Sequence, residues 1–407
     1  MTEQLIISAR SVADVVEAVG RARREERRIT VVGGGHGPWS HIPDEGMRIE
    51  LSAIDDIEVD GTTVRVGGGA TWGAVAARLA EEGLAISSGD TASVGVGGLT
   101  LGGGIGWMTR LWGLAVDQLV GAQVVTADGT VVEASATEHP DLFWALRGGG
   151  GNFGIVTRFD FAAHRLPAIV HGEYSGGDPA TLLRRMRDVL RDAPHELTVT
   201  YMDVPPMDPS APAGARLTAV WAGADESAMH EVLAPIGDTD GVQGTVTTPA
   251  YRDILMEPPQ PEDPDQQPPG FIGGNGLYAE LDDDLIDRLV AFRAAHPVSV
   301  VFLRSLGGAY GEVPQESTPF PARHATWFVM AGGFDIPGLV DDEARAAIEQ
   351  DWSLIGQGRL AEYGNFAATE RPEAVPGMFG DEAYARLRAV KAQWDPQNVF
   401  RRNHNIV

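Results

Sequence analysis

The chain has 407 residues, no cysteine, and 57 acidic against 31 basic side chains, a formal net charge of −26. The lack of cysteine rules out disulfides, thiolate metal sites, iron–sulfur clusters and a cysteine nucleophile, and the acidic excess would repel phosphate backbones and anionic lipid, so neither nucleic acid nor a membrane surface is an expected partner. At 43% hydrophobic residues the chain can bury a substantial core, enough for two or three domains or for two lobes of one interleaved chain.

No stretch approaches the roughly 20 apolar residues of a membrane span. Positive charge in the first 28 residues follows an amphipathic segment instead of preceding an apolar one, so a cytoplasmic protein without a secretory leader is expected. In chain order, Ser11 is placed to cap a helix whose apolar stripe is Val12, Val15, Val16 and Val19. A strand from Arg28 to Val32 then runs into Gly33, Gly34, Gly35 and His36. Residues 54–68 read as a hairpin turning at Asp60 and Gly61, and 123–135 repeat the device at Asp128 and Gly129. Between them, 71–83 read as a helix stopped by Gly83. From about 168 to 371, alternating stretches such as ELTVTYMDV, RLTAVWAG and ATWFVMAGGF predict an antiparallel sheet with helices on one face. Residues 256–270, with six prolines and four acids, predict an exposed loop and a candidate lid. A helix from Asp381 to Gln393 leads into a short extended tail. The fold class is α+β.

Glycine is concentrated, with 27 of the 51 between positions 31 and 160. The runs are GGGH at 33–36, GVGGLTLGGGIG at 95–106 and RGGGGNFG at 147–154. The last contains GxGxxG through Gly149, Gly151 and Gly154, but a helical segment precedes it and a strand follows, the reverse of a dinucleotide-binding βαβ unit. No run continues into GKS or GKT, so a P-loop is excluded as well. Any one run could be turn glycines; three together point to a backbone cradle for a pyrophosphate and a flat ring.

These runs, with SVGVGGLTLGGGIGWMTRLWGLAVDQLVGAQVVTADG, HPDLFWALRGGGGNFGIVT and the terminal WDPQNVFRRNHNI, resemble the berberine-bridge-enzyme-like branch of the vanillyl-alcohol-oxidase flavoproteins. The resemblance implies a PCMH-type FAD-binding domain from residues 1–167 and 372–407, with a substrate-binding domain from 168–371 inserted. It implies FAD held covalently by His36, the histidine ending GGGH. Family members often add a second link through a cysteine; Thr91 stands there, so a single link is expected. By position in the motifs, Gly33, Gly34, Gly35, His36, Ser88, Gly89, Gly98, Thr100, Gly102, Gly103, Gly104 and Gly106 line the ribityl and pyrophosphate. Gly154, Ile155 and Val156 contact the adenosine half, Asn403 and Asn405 close over the cofactor from the tail, and Val94 stands at the position associated with oxygen access. Val32 replaces an arginine common before GGGH, and His404 replaces a glutamine between the asparagines.

The resemblance also carries a catalytic tyrosine in a YxN(F/Y) strand, matched by Tyr363 and Asn365 of EYGNF, with Tyr363 as base or as substrate orienter. Tyr201, Asp203, Tyr278 and His324 read as structural. The implied function is oxidation of a small organic alcohol, amine or specialised metabolite with electrons passed to O2, by a monomer or homodimer and with no metal. The alternatives are a dehydrogenase using another acceptor, or a non-redox cyclase or ligand-binding flavoprotein.

Overall fold

The computed structural model describes residues 5–40, 46–166, 168–205, 214–257, 270–336, 338–367 and 372–407, so most of the candidate lid lies outside the described residues. After β1 (Leu5–Ser8), the Ser11 hydroxyl oxygen accepts the Asp14 N–H at 3.2 Å and starts α1 (Val12–Arg24). Its buried stripe is Val15, Ala18, Val19 and Ala22, so alanines complete the face that Val12 and Val16 only flank. β3 (Met47–Glu50) pairs in parallel with β1 on one side and with β2 (Ile29–Val32) on the other, giving a three-stranded sheet of order β1-β3-β2.

β4 (Ile57–Asp60) and β5 (Thr63–Gly67) form the expected hairpin, turning at Gly61 with φ +60°. α2 (Trp72–Ala80) is capped by Thr71 and stops before Gly83, which also has positive φ. Then come β6 (Leu84–Ala85), α3 (Val96–Leu101), α4 (Thr109–Trp112), β7 (Leu119–Val125), β8 (Val131–Ser135), α5 (Pro140–Leu146), β9 (Ile155–Ala162) and β10 (His164–Arg165). A five-stranded antiparallel sheet results, order β4-β5-β9-β7-β8, while β10 pairs with β6.

The next stretch comprises β11 (Ile169–Gly176), α6 (Pro179–Leu190), β12 (Leu197–Val204), β13 (Gly214–Ala222), α7 (Glu226–Gly237), β14 (Val242–Thr247), β15 (Gly270–Tyr278), α8 (Asp283–Ala295), β16 (Ser299–Ser305), α9 (Ala309–Glu312), β17 (Trp327–Asp335) and α10 (Asp342–Ile355). Its strands make one seven-stranded antiparallel sheet, order β14-β11-β13-β12-β16-β17-β15. Because side chains alternate along a strand, Val199, Tyr201, Leu217, Leu303 and Val329 share one face with Leu182, Met186, Leu233, Ile286 and Leu289 of the helices. Each fully buried leucine there contributes roughly 2 kcal/mol. α11 (Val375–Phe379) and α12 (Asp381–Trp394) return the chain to the first sheets, where Leu387 and Val390 pack with Leu142, Leu146 and Phe153. The other face of the seven-stranded sheet meets residues 90–108 and 363–366, and the candidate site lies along that seam.

Candidate active site

The glycine runs bring backbones closer than side chains allow. A Cβ on Gly34 would sit 2.2 Å from the Gly95 nitrogen, so GGGH and the VGVGG turn cross in backbone contact. A Cβ on Gly106 would sit 1.5 Å from the Ser88 carbonyl oxygen, locking the end of LGGGIG against the SSG segment. Gly33 and Gly35 follow β2, Val94 is half-buried before α3, and Gly98 and Thr100 lie on α3. Gly102, Gly103 and Gly104 form the turn after α3, beside Asn365, Phe320 and Leu99 respectively, and Gly89 abuts Leu99. Gly154 packs on Val124, while the Ile155 and Val156 side chains belong to the core and their backbones pair with Val125 and Val124.

His36 is exposed beside this crossing, its Nε2 2.9 Å from the Ser93 hydroxyl oxygen. Partial desolvation lowers its pKa from the ordinary imidazole value and favours the neutral ring. Three residues on, Trp39 makes an edge contact with His404 at 5.3 Å, so the tail reaches the GGGH loop. Asn152 holds that tail: its Nδ2 donates to the His404 carbonyl at 3.1 Å, and its Oδ1 accepts the Ile406 N–H at 3.1 Å. Buried Lys391 reinforces it through Asp395 at 2.7 Å and the Asn152 and Phe400 carbonyls.

Among the described residues, four buried side-chain oxygens on the SSG segment, α3 and the tail have no hydrogen-bond partner: Ser87 Oγ, Thr100 Oγ1, Asn403 Oδ1 and Asn405 Oδ1. An orphaned buried polar atom costs about 1–3 kcal/mol, so their collection beside glycine-lined backbone fits a polar cofactor such as FAD, whose hydroxyls and amide edges would satisfy them.

Tyr363 closes the far side. Its oxygen accepts the Gly104 N–H at 3.1 Å, the Ile105 N–H at 3.4 Å and Asn365 Nδ2 at 2.8 Å. The expected strand through both residues is corrected: pairing with β15 ends at the Ala361–Leu277 bridge, and Gly364–Phe366 is a 3-10 turn. Tyr363 N–H donates to Asn275 Oδ1 at 2.8 Å instead of a neighbouring strand, and the tight turn swings Asn365 back onto the phenol. Burial raises the Tyr363 pKa, against three N–H donors that pull it down.

Of the residues read as structural, Tyr201 and Tyr278 lie in the helix-side core, and Asp203 pairs with Arg293 of α8 at 3.0 Å. His324 is exposed; its neighbour Arg323 instead makes a buried two-point pair with Asp117, both contacts 2.8 Å. Sequence reasoning missed Asp90 and Arg304, which pair across the seam, as well as Tyr251, whose hydroxyl lies 3.1 Å from Ser88 Oγ. It also missed Asn152, although that residue stands inside the third glycine run.

Residues 4–135 match the FAD binding domain family, and 362–407 match the family described as berberine and berberine like. An FAD-linked oxidoreductase of Pyricularia oryzae is 31% identical, covering 100% of this chain and 84% of the relative. The chain belongs to the berberine-bridge-enzyme-like FAD-linked oxidoreductases. A second relative of this family, (R)-6-hydroxynicotine oxidase of Paenarthrobacter nicotinovorans, is 29% identical over 99% of this chain and 90% of its own. The structure of glucooligosaccharide oxidase from Acremonium strictum, titled for its 6-S-cysteinyl, 8α-N1-histidyl FAD, superposes with a TM-score of 0.82 at 24% identity, covering 100% of this chain and 91% of that one. The family explains the α+β architecture: a glycine-rich FAD-binding part and an antiparallel sheet that face each other across the Tyr363 seam. Among the described residues, no helix is long and apolar enough to cross a membrane.

Proposed function

We propose that this oxidoreductase is an oxidase that removes hydride from an alcohol, amine or activated carbon centre of a small organic molecule and passes the electrons to O2, giving H2O2. Residues 1–167 and 372–407 serve as the FAD-binding unit in this reading, and 168–371 as the substrate-binding unit. When bound, FAD supplies the hydride acceptor. His36 would carry its single covalent attachment: with Nε2–H donated to Ser93 Oγ, Nδ1 keeps a free lone pair in a ring whose lowered pKa keeps it neutral. Thr91 offers no thiol for a second link. Gly33, Gly34, Gly35, Ser88, Gly89, Gly98, Thr100, Gly102, Gly103, Gly104 and Gly106 would cradle the ribityl and pyrophosphate. Asn403 and Asn405 would hold the cofactor from the tail, Gly154, Ile155 and Val156 would sit by its adenosine half, and Val94 would set oxygen access.

The observation that carries the reading is the setting of the Tyr363 oxygen. Three N–H groups converge on it, and none of its hydrogen bonds uses its own proton. Once it has lost its own proton, the phenolate oxygen can take one from the substrate, its negative charge stabilised by the Gly104 and Ile105 amides and by Asn365. Tyr363 therefore serves as the proton acceptor, with Asn365 and Asn275 positioning it. The test has two parts. Acid precipitation should leave the yellow colour in the pellet, and His36→Ala should release it to the supernatant. Stopped-flow mixing of the reduced protein with air should reoxidise the flavin rapidly; slow reoxidation would overturn the oxidase assignment in favour of a dehydrogenase.

A further inference from the structure

The strand registers lay out the seam-side face of the seven-stranded sheet as two cross-strand rows. One row runs Glu173, Thr218, Thr200, Arg304, Phe328, Leu277. Its centre is covered, since Arg304 is buried on Asp90 and Trp107, and Phe328 packs on Tyr363. The next row runs Ser175, Arg216, Met202, Phe302, Met330, Asn275. Directly paired residues share a face, and here Met202, Phe302 and Met330 are only half-buried, so this row forms the open wall beside Tyr363.

The row is chemically asymmetric. Two thioethers and a phenyl ring occupy its middle, and Phe366, 54% exposed, extends the apolar surface from Phe328 at 5.4 Å. A sugar presents hydroxyls on every side and would leave them unpaired against such a wall, whereas an apolar ring fits polarisable sulfur and aromatic carbon. The apolar middle is flanked on either side by a residue with donor capacity to spare. Asn275, fully buried, spends its oxygen on the Tyr363 N–H and leaves Nδ2 without a partner. Arg216 has its hydrogen-bond contact with Met202 Sδ at 3.2 Å and makes no ion pair among the described residues. Among the described residues this half-buried arginine has no ion-pair partner, which leaves its guanidinium able to take an outside anion.

Resting on the function proposed above, we infer that the substrate is an elongated apolar, ring-containing molecule with a carboxylate at one end, gripped by Arg216, and its oxidisable carbon at the other, beside Tyr363 and Asn275. Four strand-to-strand steps separate Arg216 from Asn275, about 19 Å at about 4.8 Å per step. The inward reach of the two side chains shortens that to a span suited to two or three fused or linked rings.

Calorimetric titration of the holoenzyme with 4-phenylbenzoate, 4-phenylbenzamide and cellobiose tests this without requiring turnover. The acid should bind about tenfold or more tightly than the amide, as expected for a charge-assisted hydrogen bond, and cellobiose most weakly. Arg216→Gln should bring the affinity for the acid down to that for the amide, and Arg216→Lys should restore part of the difference. Phe302→Ala should weaken both. Equal binding of acid and amide, a preference that survives in Arg216→Gln, or tighter binding of cellobiose would overturn the inference. Because binding is read directly, these outcomes are independent of whether His36 holds the flavin or O2 accepts its electrons.

Discussion

Arg304 and Asp90 join the two halves of the seam through a two-point pair, with Nη1 to Oδ1 at 2.8 Å and the Arg304 guanidinium stacked 4.6 Å over Trp107. Arg304 is 2% exposed and its Nε has no partner among the described residues, so its charge depends on Asp90 for compensation. Breaking a buried pair by removing one partner costs about 3–5 kcal/mol, whereas replacing both can be nearly neutral. Asp90→Ala is therefore expected to lower the melting temperature markedly, and Asp90→Ala with Arg304→Met to recover much of the loss. A thermal-shift comparison of the single and double variants checks this; a double variant no more stable than Asp90→Ala would mean that the pair acts through something other than charge.

Tyr363 sets a pH signature for turnover. Burial raises its pKa above that of a free phenol despite three N–H donors, so only a small fraction is ionised near neutrality. If the ionised form takes the substrate proton, kcat/KM should climb with pH across the neutral range and level off only in the alkaline region. Tyr363→Phe should flatten that profile and slow flavin reduction by about 10²–10⁴-fold, the usual contribution of a general base. Single-turnover bleaching of the flavin, followed over pH, is the measurement.

A related dependence concerns stability. Burial raises the pKa of Tyr201, Tyr251, Tyr278, Tyr310 and Tyr363. Each phenol binds its proton more tightly in the folded chain than in the unfolded one, where the value is near 10. Their contribution is then complete below about pH 10 and lost as pH rises through the folded values. Alkaline unfolding should accordingly be cooperative, with tyrosinate absorbance appearing together with loss of circular dichroism. Gradual tyrosinate formation in a chain that stays folded would contradict it.

What was legible beforehand follows from how local each determinant is. The Asp60–Gly61 and Asp128–Gly129 turns and the Ser11 cap are set by neighbouring residues, and they read correctly. The glycine runs were legible as a cradle because only glycine permits crossings as close as Gly34 on Gly95. EYGNF was read as a strand because its alternation fits one, yet β15 offers a partner only as far as Ala361, and Gly364 permits the turn. Arg304 and Asp90 stand 214 residues apart, and Asn275 finds Tyr363 across 88, so no local pattern could have announced either contact. The row containing Arg216 likewise emerges only once six strands are in register.

The tail supplies the last prediction. Asn152 is 1% exposed and uses its side chain to hold both the His404 carbonyl and the Ile406 N–H, while Nδ2 also reaches the Gly149 carbonyl at 2.9 Å. Asn152→Ala would leave these backbone groups unpaired at about 1–3 kcal/mol each, and water can satisfy them only if the tail lifts. Asn403 and Asn405 lie on either side of His404 and would leave with it, so the variant should expose the last residues to carboxypeptidase and load FAD less completely. Tyr384→Phe is the fitting control: its hydroxyl meets the Val407 carbonyl at 3.2 Å in an exposed contact, whose loss water compensates. Loss of flavin in Asn152→Ala but not in Tyr384→Phe would place the tail's hold at Asn152, whereas equal loading in both would shift it to Lys391, whose ammonium grips Asp395 and the Phe400 carbonyl at the tail's start.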